Sequence, residues 1–274
     1  MNSEVLNTQL ITSKNNSTIV KISKLQTKKF RLQEKMFLCD GVKLFLEAKE
    51  YGADIKYIIV DNEAVLSDDV INNIFDCKKH GSTVICVENS VFEKLTNESA
   101  PQGIITVCSF LEKNHTFSSN VENHNMKEKL LILESVRDPG NLGTIIRNAV
   151  AFGIDKLIIS DDCADIYSPK VVRSSMGAIF KIKITVSNNL SNTIFSLKKT
   201  GRRVLGAALK KDSLRLGYND FSSSDIFILG NEGHGIYDKI LELCSDTVFI
   251  PIKENTESLN VAIAAAILMW EISK

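Results

Sequence analysis

The chain has 274 residues, 44% of them hydrophobic and 24% charged, and its 33 basic and 33 acidic residues give a formal net charge of zero. This balance suits a soluble globular protein of one large or two modest domains and excludes a polyelectrolyte tail. The start, Met1-Asn2-Ser3-Glu4, does not read as a secretion signal, and no apolar run reaches the roughly 18 residues of a membrane span. The six cysteines are scattered without a C-x-x-C pair, so we expect reduced core residues in a cytoplasmic protein without a metal site.

Residues 1–18 are polar and rich in Asn and Ser, and we expect them to form a loose N-terminal tail. Residues 19–112 then alternate between helical and strand patterns, which is typical of a parallel-leaning sheet covered on both faces. The predicted elements of this block are a helix over Val42–Tyr51, a strand over Lys56–Val60, a helix over Asp68–Lys79, a strand over Ser82–Val87, a short helix near Val91–Leu95 and a strand over Gly103–Ser109.

Residues 113–127 show almost no apolar periodicity and are predicted to be a linker. A second α/β block follows over residues 128–274. Its predicted strands are Leu130–Glu134, Lys156–Ser160, Ile182–Val186, Arg203–Ala208, Asp225–Leu229 and Thr247–Ile252, and its predicted helices are Asn141–Phe152, Ser168–Phe180 and Ser258–Ser273.

The last of these helices is apolar on every side, from Leu259 to Trp270. Such a helix must be covered all round. One side is expected to pack on the sheet. We expect a partner subunit to cover the other side of the helix, and burial within a single domain is the alternative.

A basic segment lies near the N-terminus, where Glu34 is the one acid among its charged residues. Cationic patches of this kind bind phosphate backbones, although a solvated basic face has the same composition. The basic residues of the segment are Lys21, Lys24, Lys28, Lys29, Arg31 and Lys35.

Three polar clusters lie in the second block, and the first two of them contain glycine. The first is Arg137-Asp138-Pro139-Gly140-Asn141-Leu142-Gly143, before the helix that carries Arg147; the second is the loop Gly230–Gly235; the third is Ser258-Leu259-Asn260. Polar loops at the carboxyl ends of neighbouring strands form the ligand crevice of an open α/β sheet. None of the clusters is a dinucleotide or triphosphate fingerprint, and no G-x-S-x-G elbow indicates a hydrolase.

Each cluster also has a structural explanation when it is taken alone. Gly140 and Gly143 suit a tight turn, Ser258 suits a helix N-cap, and Arg147 suits an ion pair on a helix face. Glu232 is then a surface carboxylate, and His234 an incidental residue of a glycine loop.

Together and in this order, the clusters resemble the SpoU-type RNA ribose 2′-O-methyltransferases of the SPOUT superfamily, over about Leu130 to Ile272. Glu254 departs from the pattern, because many members have Gly there. The matching motifs are Asn141-x-Gly143-x-x-x-Arg147-x-Ala149 with Gly153, the stretch Ser168 to Ala178, Leu229-Gly230-Asn231-Glu232-Gly233-x-Gly235-Ile236, and Ile250-Pro251 followed by Ser258-Leu259-Asn260-Val261.

The resemblance implies an α/β domain with a deep trefoil knot, a homodimer formed through it, and methyl transfer from S-adenosylmethionine to a ribose 2′-hydroxyl of structured RNA. Ribosomal RNA is the preferred substrate and tRNA the alternative. The implied catalytic residues are Arg147, Asn141, Glu232, Ser258 and Asn260, and the implied cofactor-binding residues are Gly206, Ala207, Leu229, Gly230, Gly233, Ile250 and Leu259. A guanidinium stays protonated at neutral pH, so we expect Arg147 to hold the target phosphate and stabilise the developing alkoxide.

The first block resembles the family's smaller N-terminal substrate-binding domain, which is similar to a ribosomal RNA-binding α/β/α sandwich. The resemblance lies in Lys28-Lys29-Phe30-Arg31, in Phe37 to Gly41, where Asp40 replaces a more usual Glu, and in Pro101-Gln102-Gly103-Ile104. It implies that Lys28, Lys29 and Arg31 contact RNA. Two other readings stay open: a non-catalytic RNA-binding or ribosome assembly protein on the same fold, and a nucleotide-binding metabolic enzyme, which lacks its phosphate fingerprint here.

Overall fold

A computed structural model describes residues 1–112, 115–116, 127–253, 256 and 258–274 of the chain. The chain forms two compact units. The first comprises Met1–Leu111 with Asp165–Phe180, and the second comprises Glu112–Ala164 with Lys181–Lys274. Most of the linker predicted at 113–127 lies outside the described residues, as does Glu254.

The helices that these residues form are short to medium in length. Two further segments, Lys24–Gln26 and Ala178–Phe180, are 3₁₀ turns. In chain order the helices are α1 (Asn2–Val5), α2 (Ser17–Ser23), α3 (Lys28–Glu34), α4 (Val42–Glu50), α5 (Asp68–Lys79), α6 (Asn89–Phe92), α7 (Pro139–Ala151), α8 (Pro169–Ser174), α9 (Leu190–Lys199), α10 (Asp238–Leu241) and α11 (Val261–Glu271).

The strands belong to two sheets, one in each unit. In chain order they are β1 (Leu10–Ile11), β2 (Met36–Asp40), β3 (Ile55–Asp61), β4 (Thr83–Val87), β5 (Ile104–Ser109), β6 (His115–Thr116), β7 (Leu130–Leu133), β8 (Lys156–Ser160), β9 (Lys183–Ser187), β10 (Val204–Ala207), β11 (Leu214–Arg215), β12 (Ile226–Leu229) and β13 (Asp246–Phe249).

The first unit is built on a sheet with the order β1-β4-β3-β5-β2. Its β1, β4 and β3 run parallel, whereas β5 is antiparallel to both β3 and β2. The expected parallel-leaning sheet is therefore a mixed one, because β5 runs antiparallel to β3; strand β2, which was not predicted, adds a second antiparallel pairing. The core of this unit includes Ile22, Leu38, Ile59, Phe92 and Val107.

Residues 1–18 were expected to be loose, but they are held against the first unit. Asn2 is buried, and its side-chain amide donates hydrogen bonds to the carbonyl oxygens of Asp61 (2.8 Å) and Ala64 (2.9 Å). Strand β1 pairs in parallel with β4 through Leu10 and Ile11. The polar composition of this segment did not predict these contacts, because they are made by one side-chain amide and by main-chain groups.

The segment Asp165–Phe180 belongs to the first unit, although the sequence grouped it with the second block. It packs there through α8 against β2 and through the ring of Tyr167, which lies 4.7 Å from that of Phe37 and stacks on Phe110. The segment is far in sequence from the residues it contacts, so local periodicity could not reveal its place.

The second unit has a fully parallel sheet with the order β11-β13-β10-β12-β7-β8-β9-β6. Strands β7, β8 and β12 are buried along their whole length, as expected for parallel strands covered on both faces. All carboxyl ends of a parallel sheet lie at one edge. The loops that follow β10, β12, β13 and β7 are thereby brought together.

Helix α11 begins later than predicted, at Val261, because Asn260 is its N-cap: the Asn260 Oδ1 accepts hydrogen bonds from the backbone N–H groups of Ala262 and Ile263. Ser258 is thus not the cap. Helix α11 packs on α7, while Ile263 and Trp270 remain 54% and 57% exposed within the single chain. Among the described residues, no helix is long and apolar enough to cross a membrane.

Candidate active site

A cavity of about 430 Å³ opens in the second unit where β10, β12 and β13 end. Strand ends, the glycine loop after β12 and the first turns of α11 form its walls. The lining residues are Ala207, Ala208, Leu209, Leu229, Gly230, Asn231, Glu232, Gly233, Gly235, Val248, Phe249, Ile250, Ile252, Ser258, Leu259, Val261, Ala264 and Leu268. Apolar side chains and main-chain polar groups thus dominate a site of the size that small-molecule ligands occupy.

The loop Gly230–Gly235 is closed on itself by two backbone hydrogen bonds of 3.0 Å between Asn231 and Gly235. A Cβ atom at Gly230 would lie 2.2 Å from the carbonyl carbon of Gly235, so only glycine fits there. A Cβ at Gly233 would meet only the Asn231 Oδ1, at 3.4 Å. The tight return of the chain therefore depends on Gly230 more than on Gly233.

Asn231 holds this loop from within. Its Oδ1 accepts the backbone N–H of Gly233 (2.8 Å), and its Nδ2 donates to the carbonyl oxygen of Ser135 (2.8 Å), which follows strand β7. Ser135 adopts a left-handed backbone conformation, with φ of 54°. The loop after β12 is in this way joined to the end of the neighbouring strand.

The conformation of Ser135 is supported by its own hydrogen bonds. Its N–H donates to Ser160 Oγ (2.8 Å), and its Oγ donates to Asp162 Oδ2 (2.5 Å). Burial opposes the charged form of Asp162, but hydrogen bonds from Ser135, Ser160 and Arg137 outweigh it and lower the pKa of Asp162 to about 2. Asp162 therefore remains an anion that accepts these bonds at any pH well above that value.

A chain of side-chain hydrogen bonds joins the three polar clusters. The Nδ2 of Asn141, on α7, donates to Glu232 Oε1 (3.0 Å), and the Nδ2 of Asn260 donates to Asn141 Oδ1 (2.9 Å). Asp138 caps α7 by accepting the backbone N–H of Asn141 (2.8 Å). The network lies beside the cavity, since Glu232 is also one of the lining residues.

Arg147 is exposed on α7, six residues after Asn141, which is about 9 Å along a helix axis. No acid within the described ranges pairs with its guanidinium. The expected structural alternative, an ion pair on a helix face, is therefore not seen. The single chain also does not bring Arg147 into the Asn141–Glu232–Asn260 network.

Two protein-family profiles match the chain. The one described as the SpoU rRNA Methylase family covers residues 128–270, and the one described as an MRM3-like substrate binding domain covers residues 16–106. The chain belongs to the SpoU rRNA methylase family.

The similarity of this chain to known relatives covers almost its whole length. It is 33% identical to the 23S rRNA (guanosine(2553)-2′-O)-methyltransferase RlmP of Bacillus subtilis over 96% of the chain and 98% of the relative. It is 32% identical to the 23S rRNA (guanosine-2′-O-)-methyltransferase RlmB of Coxiella burnetii over 72% of the chain and 79% of the relative. Among solved structures, the AdoMet-bound rRNA methyltransferase from Sinorhizobium meliloti superposes with a TM-score of 0.84 at 28% identity, covering 96% of both chains.

These findings confirm the resemblance and, at the level of the SpoU family, the predicted activity: an RNA ribose methyltransferase that uses S-adenosylmethionine. The size and lining of the cavity suit such a cofactor. Leu229, Ile250 and Leu259 line it with apolar side chains, and the glycine loop lines it with main-chain groups.

Most of the residues implied for the SpoU site lie around this cavity. Of the cofactor set, Ala207, Leu229, Gly230, Gly233, Ile250 and Leu259 line it. Of the catalytic set, Glu232 and Ser258 line it as well, and Asn141 and Asn260 are hydrogen-bonded beside it.

Gly206 is not among the residues that line the cavity, and its implied contact with the cofactor stays a prediction. A Cβ there would lie 2.6 Å from Leu241 Cδ2 and 3.3 Å from Cys244 Sγ. This glycine lets the α10 segment pack closely on β10. The position of this glycine in a motif next to a strand end does not show whether it serves helix–strand packing or contact with the cofactor.

Arg31 also departs from its implied role in RNA binding. It is 3% exposed, and its guanidinium forms an ion pair with Asp165 (2.6 Å) and donates to the carbonyl oxygen of Leu25 (2.8 Å). The guanidinium is held inside the first unit and is not available at its surface. Lys28 and Lys29 are exposed, as an RNA contact requires.

Sequence reasoning missed Asn231, Ser135 and Asp162, which position the glycine loop. A signal existed for Asn231, because a side chain with both donor and acceptor atoms suits a turn. For Ser135 and Asp162 there was none, since their contacts join strand ends that are 25 or more residues apart. Within the described part of the chain, no group of three or more His, Cys, Asp or Glu residues is placed to bind a metal ion.

Proposed function

We propose that this protein transfers a methyl group from S-adenosylmethionine to the ribose 2′-hydroxyl of a nucleotide in large-subunit ribosomal RNA, with guanosine as the first nucleotide to test. The relatives named for 23S rRNA guanosine methylation support this substrate. The observation that carries the proposal is the Asn141–Glu232–Asn260 network at the edge of a glycine-lined cavity.

We further propose that the cofactor binds in this cavity through Ala207, Leu229, Gly230, Gly233, Ile250 and Leu259. When bound, it supplies an electrophilic methyl group on a sulfonium. The chain's own residues then exclude water from the apolar pocket and orient the ribose. Holding the hydroxyl in line lowers the barrier by several kcal/mol, because orientation is prepaid in the bound state.

Glu232, Asn141, Ser258 and Asn260 are proposed to hold the ribose and its proton. The Glu232 carboxylate accepts from Asn141 through Oε1 (3.0 Å) and from Asn231 through Oε2 (3.4 Å), and each carboxylate oxygen has a second lone pair with which to accept from the ribose. Arg147 is proposed to bind the target phosphate and stabilise the negative charge that develops on the 2′-oxygen.

The site as proposed is completed by a second copy of the chain. We propose a homodimer through the face formed by α7 and α11, where Ile263 and Trp270 are exposed and Arg147 is not paired within the described residues. The deep trefoil knot of the catalytic domain, residues 128–274, is proposed as part of the same architecture. A cytoplasmic location is proposed as well, and the free cysteines of the chain suit a reducing compartment.

The first unit is proposed to bind the RNA substrate. Its match to a substrate-binding domain over residues 16–106 supports this role, and Lys28 and Lys29 are its proposed contacts to phosphate. Such contacts add affinity without sequence preference.

Ribose methylation mapped in RNA from cells with and without this protein tests the proposal. Purified protein with tritiated S-adenosylmethionine is then offered ribosomal RNA and tRNA from the deficient cells. We expect one 2′-O-methyl site to disappear from ribosomal RNA and the label to return to it in vitro. Label in tRNA alone would favour the tRNA alternative, and cofactor binding without transfer to either would favour a non-catalytic RNA-binding or assembly protein.

Replacement of Arg147 tests its role. Arg147→Ala is expected to lower kcat by at least about 100-fold, as for loss of a group that stabilises transition-state charge. Affinity for S-adenosylmethionine, measured by calorimetry, is expected to stay within about two-fold, since Arg147 does not line the cavity. The matched control is Arg215→Ala, an exposed arginine whose guanidinium lies 4.1 Å from the Tyr218 ring centroid and which does not line the cavity. A fully active Arg147→Ala enzyme would remove the assignment.

A further inference from the structure

Two aromatic side chains stand on the exposed side of the glycine loop. The rings of His234 and Tyr237 stack with their centroids 4.2 Å apart and their planes at 29°. Tyr237 is 41% exposed, and His234 is exposed as well. Between them, Ile236 points the other way and is 6% exposed in the core. Ile236 therefore packs this loop, and the ring pair is not needed to fill the interior.

The backbone that carries the two rings is anchored on both sides. The N–H of His234 donates to Asn231 Oδ1 (3.4 Å), inside the turn closed by Asn231 and Gly235. The N–H of Tyr237 donates to Glu134 Oε2 (3.0 Å), a buried carboxylate at the end of β7. The backbone beneath the rings is thus fixed before any ligand arrives, and the two rings stack on each other, which reduces the ordering cost of binding.

The pair lies next to the proposed reaction site. Gly233 and Gly235, on either side of His234, line the cavity. Glu232, two residues before His234, accepts a hydrogen bond from Asn141. A positive charge is close by, because Lys239 Nζ lies 5.6 Å from the Tyr237 ring centroid. The adjacent acid, Asp238, is paired with Lys210 at 3.3 Å.

We propose that His234 and Tyr237 form a stacking platform for a nucleobase next to the methylated ribose, with Lys239 near its phosphate. Unstacked bases of RNA bind aromatic faces in a way that tolerates any base, and a nearby cation adds affinity for the backbone. The platform would select a target whose neighbouring base is flipped out or single-stranded. The inference rests on the proposed RNA substrate.

The test compares His234→Ala, Tyr237→Leu and the conservative Tyr237→Phe in methylation of ribosomal RNA from cells that lack the protein. We expect the first two to raise the KM for RNA by about ten-fold or more, with the Kd for S-adenosylmethionine unchanged, and Tyr237→Phe to behave as the wild type. The matched control is Phe195→Ala, which removes another exposed ring beside a lysine, Lys199 at 4.4 Å.

An unchanged KM for RNA in both His234→Ala and Tyr237→Leu would overturn the platform. A rise in the Kd for S-adenosylmethionine as large as the rise in the KM for RNA would also overturn it, because the rings would then have only a structural role. Fluorescence anisotropy with a labelled single-stranded octaadenylate separates this from the proposed function. If the wild type methylates no ribosomal RNA, weaker octaadenylate binding by the two variants still supports the platform, and equal binding contradicts it.

Discussion

At the scale of single residues, Gly230 shows how a missing side chain shapes the site. A Cβ there would lie within 2.4 Å of three backbone atoms of Gly235 and Ile236. Backbone cannot move aside as a flexible side chain can, so Gly230→Ala is expected to open the loop, cost about 1–3 kcal/mol of stability and weaken binding of S-adenosylmethionine at least ten-fold in calorimetry.

Gly233→Ala is the matched control for this change, because its Cβ would meet only Asn231 Oδ1 at 3.4 Å. It is expected to keep most of the cofactor affinity. Equal effects of the two substitutions would show that the close approach at Gly230 is not what shapes the cavity.

Arg31 and Lys29 lie on the same short helix but are expected to respond differently to replacement. Arg31→Ala leaves Asp165, whose side chain is 16% exposed, without its partner, and loss of one member of a buried pair costs about 3–5 kcal/mol. Lys29→Ala removes an exposed charge and is expected to leave the free energy of unfolding within about 0.5 kcal/mol. Urea denaturation measures both.

For RNA binding the expected order is reversed: the exposed lysines of α3 contribute to affinity, whereas the buried Arg31 does not. A variant with Lys28→Ala and Lys29→Ala is expected to reduce the slope of log affinity against log salt concentration by about one for each RNA phosphate that the lysines no longer neutralise. An unchanged slope would show that neither lysine contacts RNA phosphate, and α3 would then have only a structural role.

At the scale of elements, the start of α11 couples helix capping to the proposed active site through Asn260. Its Oδ1 caps the helix while its Nδ2 donates to Asn141. Asn260→Asp keeps the cap and adds a favourable negative charge at the helix start, but it removes the donor and sets two acceptors against each other. We expect an unchanged or higher Tm with kcat lowered at least ten-fold.

Asn260→Ala removes both functions and is the comparison for that variant. It is expected to lose about 1 kcal/mol of stability as well as activity. If Asn260→Asp were fully active, the hydrogen bond to Asn141 would have no part in the reaction, and Asn260 would be a helix cap only.

Elements with a strong local signal could be predicted from the sequence. The ranges of α5, which starts at Asp68, and of β8, which starts at Lys156, agree with the structure to the residue. Helix α5 has Ser67 as N-cap, acids in its first turn and lysines in its last. Strand β2 was missed, because its pairing with β5 depends on residues about 70 positions away.

At the scale of the whole molecule, the proposed dimer gives a prediction about mass. Ile263, Ile267 and Trp270 follow the i, i+4, i+7 spacing of one helix face on α11, and the first and last are more than half exposed. Light scattering after gel filtration is expected to give the mass of two chains for the wild type and of one chain for Trp270→Glu.

Phe195→Glu is the matched control, since it charges an exposed aromatic on α9, outside the proposed interface. It is expected to remain dimeric. A monomeric wild-type protein that is fully active would contradict both the dimer and the proposal that a second copy completes the site with Arg147.

The amino-acid sequence alone indicated the family and the cofactor class, because three short motifs in order resemble the pattern of the SpoU family. Family profiles and relatives bear this out. What only the tertiary structure decided were the partners of individual side chains: Arg31 with Asp165, Gly206 beneath Leu241, and Ser135 with Asp162 behind Asn231. These contacts join residues distant in the chain, and a pattern along the sequence records a residue's type but not which distant group packing brings against it.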